Sequence, residues 1–277
     1  MDPQLRTVLV RGCQLAFLEV GTGEPVVFVH GAYSDHRAWS AQFSALTHSY
    51  RCVFIDQRYF GQTTGSDTQP YSLASHAADL AEFIDLAAGG AAHVVGTSYG
   101  SGVALACAVW SVSRVRSLFL NEPALPSIVT QAEDLATLAS ARERLGPAIE
   151  ALTRGDHVRS VELFCDWTSF PGGFQTLPPT LQAMFRENAR TLPLHLNAPA
   201  SRLAAEDLGS IRVPTTFSAG TETIPFFRVQ VEAAHRAVVH SRLVAIDHAH
   251  HGAPFEYPDR FNAALEEHLS DAASPAA

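Results

Sequence analysis

An apolar run, Ala92 to Thr97, passes through Gly96-Thr97-Ser98-Tyr99-Gly100 straight into Ser101 to Trp110, an alanine-rich stretch of helical character. A strand that becomes a helix with so few residues between them must bend sharply, and the residue at the bend takes a strained backbone conformation. The bend is tolerated only if the residues two before and two after are tiny, so that helix and strand can approach closely. Gly96 and Gly100 meet that need. A continuous apolar strand such as this one is buried on both faces, which implies a parallel sheet covered by helices.

The rest of the chain carries the same alternation. Thr7 to Val10 and Leu15 to Val20 read as an opening antiparallel hairpin. Further strands are expected at Val26 to His30, Arg51 to Asp56, Val115 to Asn121, Thr215 to Ala219 and Arg242 to Ile246. Between them, Leu73 to Ala88 places Leu73, Ala77, Leu80, Phe83 and Ile84 at helical spacing, and Gly89-Gly90 supplies a C-terminal stop. Pro258 to Leu269 is a second amphipathic helix, with proline at its start and Phe261, Leu265 and Leu269 on one face. The expected fold class is α/β, a mostly parallel twisted sheet of about eight strands with helices on both faces.

One stretch breaks the alternation. From Pro126 to Ile211 the pattern is helical and no strand run stands out, so residues 126–211 are expected to form a helical lid inserted in a core made of residues 1–125 and 212–277. With 277 residues, 47% hydrophobic and 17% charged, the chain is long enough for that core. The formal charge of −9 includes no lysine, and the arginines are scattered rather than gathered in a basic stripe. That distribution argues against nucleic acid as a partner. Cys13, Cys52, Cys107 and Cys165 lie far apart without a C-x-x-C pair and read as reduced, buried small hydrophobes. The segment Met1 to Gly12 lacks a basic region followed by an apolar one, and no apolar run is long enough to cross a bilayer, so a cytoplasmic location is the expectation. The sequence leaves a homo-oligomer open.

Ser98 stands at the sharp turn. A serine hydroxyl is a poor nucleophile at neutral pH and needs a base within hydrogen-bond reach, most often histidine. The C-terminal strand offers three candidates at or just past its end: His248, His250 and His251. No cysteine or carboxylate set at ligand spacing accompanies them, so metal binding is not expected. Acyl transfer also needs donors aimed at a developing oxyanion. The strand Val26 to Val29 ends in His30-Gly31-Ala32, and the N–H groups of Ala32 and Tyr99 are the candidate oxyanion hole.

These motifs together resemble the α/β-hydrolase superfamily over nearly the whole chain. Gly96 to Gly100 resembles its nucleophile elbow and His30-Gly31 its oxyanion turn. Asp56 to Gly61 resembles its D-x-R-G-x-G turn, with Tyr59 where glycine is usual. The stretch His251 to Pro258 is similar to that around the family's catalytic histidine, and this resemblance selects His251 over His250, with His248 a packed or solvent-facing neighbour. The third triad member departs from the pattern. In most relatives the acid closes a G-x-x-D turn after the strand here at Thr215 to Ala219, whereas this chain has Gly220-Thr221-Glu222-Thr223. Two carboxylates remain: Glu222, one residue off, and Glu122, at the carboxyl end of the strand Val115 to Asn121, where such sheets place their sites. Glu122 is preferred, as in lactone hydrolases acting on zearalenone, and Pro123 is expected to hold it in an extended backbone.

The resemblance implies a serine hydrolase with Ser98, His251 and Glu122 as its triad, acting on an ester or lactone bond of a small, mostly apolar molecule, with no metal or organic cofactor. His30, Tyr33, His36, Phe60, Trp167 and Phe227 are the expected pocket residues. Members of the same superfamily cleave carbon–carbon bonds, add dioxygen to heteroaromatic rings without a cofactor, or bind ligands without turning them over. Those three activities are the alternatives.

Overall fold

The structure is a computed structural model that describes residues 4–65 and 69–273. Residues 1–3, the start of the Met1 to Gly12 segment, lie outside the described residues. The strands are β1 (Leu5–Val10), β2 (Cys13–Val20), β3 (Glu24–Val29), β4 (Tyr50–Ile55), β5 (Thr64–Gly65), β6 (Ala92–Thr97), β7 (Val115–Asn121), β8 (Thr215–Gly220) and β9 (Arg242–Ile246). The core helices before β8 are α1 (Leu73–Ala87) and α2 (Tyr99–Trp110). Between β7 and β8 run α3 (Ala132–Glu143), α4 (Gly146–Thr153), α5 (His157–Thr168), α6 (Gly173–Thr176), α7 (Pro179–Asn188), α8 (Leu192–Leu196) and α9 (Ala205–Leu208). The chain closes with α10 (Pro225–Ala237), α11 (Ala253–Glu256) and α12 (Pro258–Ala273).

The strands form one sheet in the order β1-β2-β4-β3-β6-β7-β8-β9, with β5 paired to β2. β2 is antiparallel to β1, β4 and β5, and every pairing from β4 through β9 is parallel. This is the α/β-hydrolase fold. The short β5 has no apolar run and was invisible to the pattern; it exists because the turn after Asp56 lies back along β2, where the Ala16 N–H donates to Thr63 Oγ1.

Period-two burial explains the layers. Val27 and Val29 of β3 pack with α1, α2 and α10 on one face, while Val26 and Phe28 pack with Trp39 and the Phe261, Leu265 and Leu269 stripe of α12 on the other. Gly89 and Gly90 both take positive φ, and the Gly90 N–H returns to the Ile84 carbonyl, closing α1 as its sequence implied. All four cysteines are buried, and none is in a disulfide.

The helices between β7 and β8 are fastened to the core by buried polar contacts. Asn188 Nδ2 donates to Asp35 Oδ2 at 2.8 Å, and Asn188 Oδ1 accepts the Gly61 N–H at 2.9 Å. Arg37 extends the contact by pairing with both Asp35 and Glu187. Asp35, His36 and Asp56 cluster closely enough to suggest a cation site, but protein donors occupy them: Asp35 takes Arg37 and Asn188, while Asp56 takes His36 and the Gln62 N–H.

Buried histidines make the fold acid-sensitive, and His268 and His76 are two of them. His268 of α12 bridges Thr216 Oγ1 and Ser117 Oγ, each at 2.9 Å, and burial lowers it from its usual 6.5 to about 4. Burial, with nearby His30 and Arg58, lowers His76 to about 3. Both are depressed in the folded state, so the unfolded chain binds more protons wherever the pH lies below 6.5, and stability present above that pH is lost as it falls toward 4. Near pH 5 the two groups set a slope of roughly 2 kcal/mol per pH unit. Chemical unfolding curves between pH 7.5 and 5 are expected to show this loss, and His268→Gln is expected to flatten it. An unchanged stability over that range contradicts the assignment.

Candidate active site

Ser98 has φ 53° and ψ −121°, a conformation that only a rigid surround can hold in a residue with a Cβ. The surround is visible. The Ser98 N–H donates to the Asn121 carbonyl at 2.9 Å, and the Ser98 carbonyl accepts from Ser101, Gly102 and Ala124. A Cβ on Gly100 would lie 2.2 Å from the Val29 carbonyl oxygen, and one on Gly96 would lie 2.8 Å from Ser101 Cα. Both glycines are therefore required for the elbow to pack. The turn after β3 lies against it, since a Cβ on Gly31 would come within 3.2 Å of Ser98 Cβ.

His251 follows β9 and is mostly buried. Its Nδ1 lies 2.6 Å from Glu122 Oε2, a short charge-assisted hydrogen bond. Glu122 is fully buried and every contact it makes is that of a carboxylate: Oε1 accepts the Gly220 N–H at 2.8 Å, and Oε2 also accepts the Thr223 hydroxyl at 2.7 Å. With Nδ1 bonded to a carboxylate, the His251 proton sits on Nδ1 and Nε2 is free to accept. His251 and Ser98 line one cavity. Phe227 lies flat on the imidazole, ring centroids 3.5 Å apart and planes 11° off parallel, and so limits the tilt of the ring.

Glu122 does not have the extended backbone that Pro123 suggested: its φ is 41°. The local bonding explains the difference, because the Glu122 N–H donates to the Ser218 carbonyl while, two residues on, the Ala124 N–H donates to the Ser98 carbonyl. The chain must turn between these anchors, and the left-handed conformation turns the side chain under His251. Glu222 is exposed, with its N–H on the Ala249 carbonyl. Thr223, at the position where most relatives have an acid, donates its hydroxyl to Glu122 instead, and a threonine at that position is the sequence signal that could have pointed to this contact. His250 faces Glu256 and the Phe170 ring, and His248 is exposed.

Two cavities meet at Ser98. One, of about 120 Å³, is walled by Trp39, Phe164, Phe170, Phe174 and Phe255 together with Ala32 and His251. The other, of about 220 Å³, includes Ala32, Tyr33, Tyr99, Phe164, Trp167, Phe226 and Phe227. Of the expected pocket residues, Tyr33, Trp167 and Phe227 line this second cavity. His30, His36 and Phe60 do not reach either cavity. His30 is fully buried, its Nδ1 on the Gly31 carbonyl at 2.7 Å and its Nε2 accepting the Gln57 N–H at 3.1 Å, so its ring braces the turn from behind. Burial lowers its basicity, with Asp56 opposing. Phe60 packs edge-on against that ring, 4.9 Å between centroids. The His36 Nδ1 is 2.8 Å from Asp56 Oδ1; burial alone would lower its pKa, but Asp56 and Asp35 raise it. Tyr59 adopts φ 76°, the reason glycine is usual there.

Comparison with known proteins agrees with the fold. A 269-residue match at 28% identity covers 94% of this chain and 67% of the dihydrolipoyllysine-residue acetyltransferase component of an acetoin cleaving system from Cupriavidus necator. The 2-hydroxy-6-oxo-2,4-heptadienoate hydrolase of Pseudomonas putida is 33% identical over 118 residues, 42% of this chain and only 43% of that enzyme. Among solved structures, a thermophilic esterase from Thermogutta terrifontis superposes with a TM-score of 0.74 at 24% identity, covering 98% of this chain and 100% of the other. A bromoperoxidase from Bacillus anthracis gives 0.78 at 21%, covering 98% and 100%. At such identities the two structures show the fold alone. The sequence profile of the alpha/beta hydrolase family matches residues 26–264, and the chain belongs to that family.

Proposed function

We propose that this α/β-hydrolase cleaves an ester or lactone bond of a small, mostly apolar molecule through an acyl-enzyme on Ser98. The observation that carries the reading is the 2.6 Å bond between Glu122 and His251 beside a cavity that also contains Ser98. In the first half-reaction the Ser98 Oγ proton passes to His251 Nε2 as Oγ bonds the carbonyl carbon. The Ala32 and Tyr99 N–H groups stabilise the oxyanion; Tyr99 opens α2, where N–H groups have no partner within the helix. The tetrahedral species collapses as the C–O bond breaks and His251 gives its proton to the leaving oxygen. Water then attacks the acyl group by the same route in reverse, restoring Ser98. Glu122 stays ionised throughout, held by the Gly220 N–H and the Thr223 hydroxyl while it stabilises the imidazolium. The aromatic walls of both cavities favour apolar groups on both sides of the scissile bond. The heptadienoate hydrolase relative keeps carbon–carbon cleavage as the alternative outcome.

Stopped-flow mixing with p-nitrophenyl esters is the test: the reading expects a burst of p-nitrophenol stoichiometric with enzyme. Turnover of a carbon–carbon substrate without any ester burst would overturn it. Phe227 offers a finer check, since Phe227→Ala frees the His251 ring and is expected to lower kcat by about 10- to 100-fold. A kcat within twofold of the parent would mean that the stacked ring does not position the base.

A further inference from the structure

The larger cavity contains a polar feature that the triad does not use. His195 of α8 lines it, surrounded by the rings of Tyr33, Tyr71 and Tyr99 with centroids 5.5, 5.8 and 5.3 Å away. Its Nδ1 is 3.0 Å from the Tyr71 hydroxyl, the Tyr71 ring stacks on that of Tyr99 with centroids 5.9 Å apart, and the Tyr99 hydroxyl is 2.7 Å from His76 Nδ1. These four side chains form a largely buried polar cluster beside the nucleophile. Burial lowers His195 to about 4 and His76 to about 3, so both rings are neutral at neutral pH.

His76 Nε2 is buried without a hydrogen-bond partner, and His195 Nε2, on the edge of the ring away from Tyr71, makes no hydrogen bond to another described residue.

Resting on the ester-cleaving reading, we propose that the neutral His195 ring donates from Nδ1 to the Tyr71 hydroxyl, leaving a lone pair on Nε2, and that the chamber walled by Tyr33, Trp167, Phe226 and Phe227 receives a ring-bearing, uncharged arm of the substrate whose hydroxyl donates to that Nε2. The rings supply an apolar slot, and the lone pair supplies one directional contact that discriminates a hydroxyl from hydrogen. A carboxylate would meet the lone pair with like polarity. Arg142, exposed on the wall of the same chamber, is the rival anchor and would select the opposite chemistry.

The test is calorimetric binding of phenyl alkyl ether, its ortho-, meta- and para-hydroxyphenyl analogues and its carboxyphenyl analogues, none of which has a bond the triad can cleave. One hydroxyphenyl isomer is expected to bind about tenfold tighter than the phenyl ether. That ratio is expected to fall to near one in His195→Leu and to shrink in Tyr71→Phe, which keeps the imidazole but removes its partner. A ratio unchanged in both variants, no preference for any hydroxyl in the parent, or tightest binding of a carboxyphenyl ether overturns the proposal. The ratio compares ligands on one protein, so a general loss of stability does not imitate the result. An ester burst with no hydroxyl preference rejects this inference alone, whereas a hydroxyl preference without a burst rejects the ester reading.

Discussion

Ser98→Ala is expected to lower kcat toward apolar esters by about 10⁶, because removal of the nucleophile leaves only binding and oxyanion stabilisation. The effect should not be one of folding. Ser98 Oγ is not needed for the elbow, whose geometry rests on the backbone hydrogen bonds from Ser98 to the Asn121 carbonyl and from Ala124 to the Ser98 carbonyl, and on the close approach of Gly96 and Gly100. Alanine accepts the positive φ no more easily than serine does, so melting temperature should change little while turnover collapses. A variant that retains a tenth or more of parental turnover would assign Ser98 a hydrogen-bonding role only, with His251 acting directly on substrate. That outcome points to the cofactor-independent oxygenase alternative.

Glu122→Gln is the second large effect, expected at about 10⁴ in kcat. The carboxylate receives three hydrogen bonds in the structure, from Gly220, Thr223 and His251. An amide has one acceptor oxygen and one donor nitrogen. If the nitrogen faces His251, Nδ1 must accept and the ring carries its proton on the nitrogen that should take the Ser98 proton. If the oxygen faces His251, the Gly220 N–H meets an N–H₂ group. Either way a buried donor is left unpaired, at about 1–3 kcal/mol. Thr223→Val removes one of the donors without touching the charge and should cost about tenfold in kcat. Glu222→Gln, on an exposed residue, should stay within about twofold. Loss of activity in Glu222→Gln with a healthy Glu122→Gln would refute the acid assignment.

The same residues show where sequence reading succeeds and where it stops. β6 and β7 begin and end where their apolar runs do, because a strand buried on both faces has no other way to satisfy its side chains. Ser98, His251 and Glu122 could be singled out as candidates because each follows the carboxyl end of a strand that the pattern marks, β6, β9 and β7. The backbone of Glu122 was not legible. Pro123 favours extension locally, but the bonds from Glu122 to Ser218 and from Ala124 to Ser98 fix the turn from distant parts of the chain. His30 and Phe60 looked like pocket residues because they flank the oxyanion turn, yet a buried turn needs its own support, and they provide it. The second cavity lay beyond the pattern altogether. It is assembled from Tyr33, Trp167, His195 and Phe227, which are far apart in the chain and meet only when α5, α8 and α10 pack over Ser98.

Intact-protein mass spectrometry after brief exposure to a fluorophosphonate alkyl ester tests the central claim most directly. The account predicts a single phosphonyl adduct, mapped by peptide sequencing to Ser98, that forms rapidly in the parent, at least 1,000-fold more slowly in Glu122→Gln, and not at all in Ser98→Ala. An adduct on another residue, or equal labelling rates in the parent and Glu122→Gln, would contradict a nucleophile activated through His251 by Glu122.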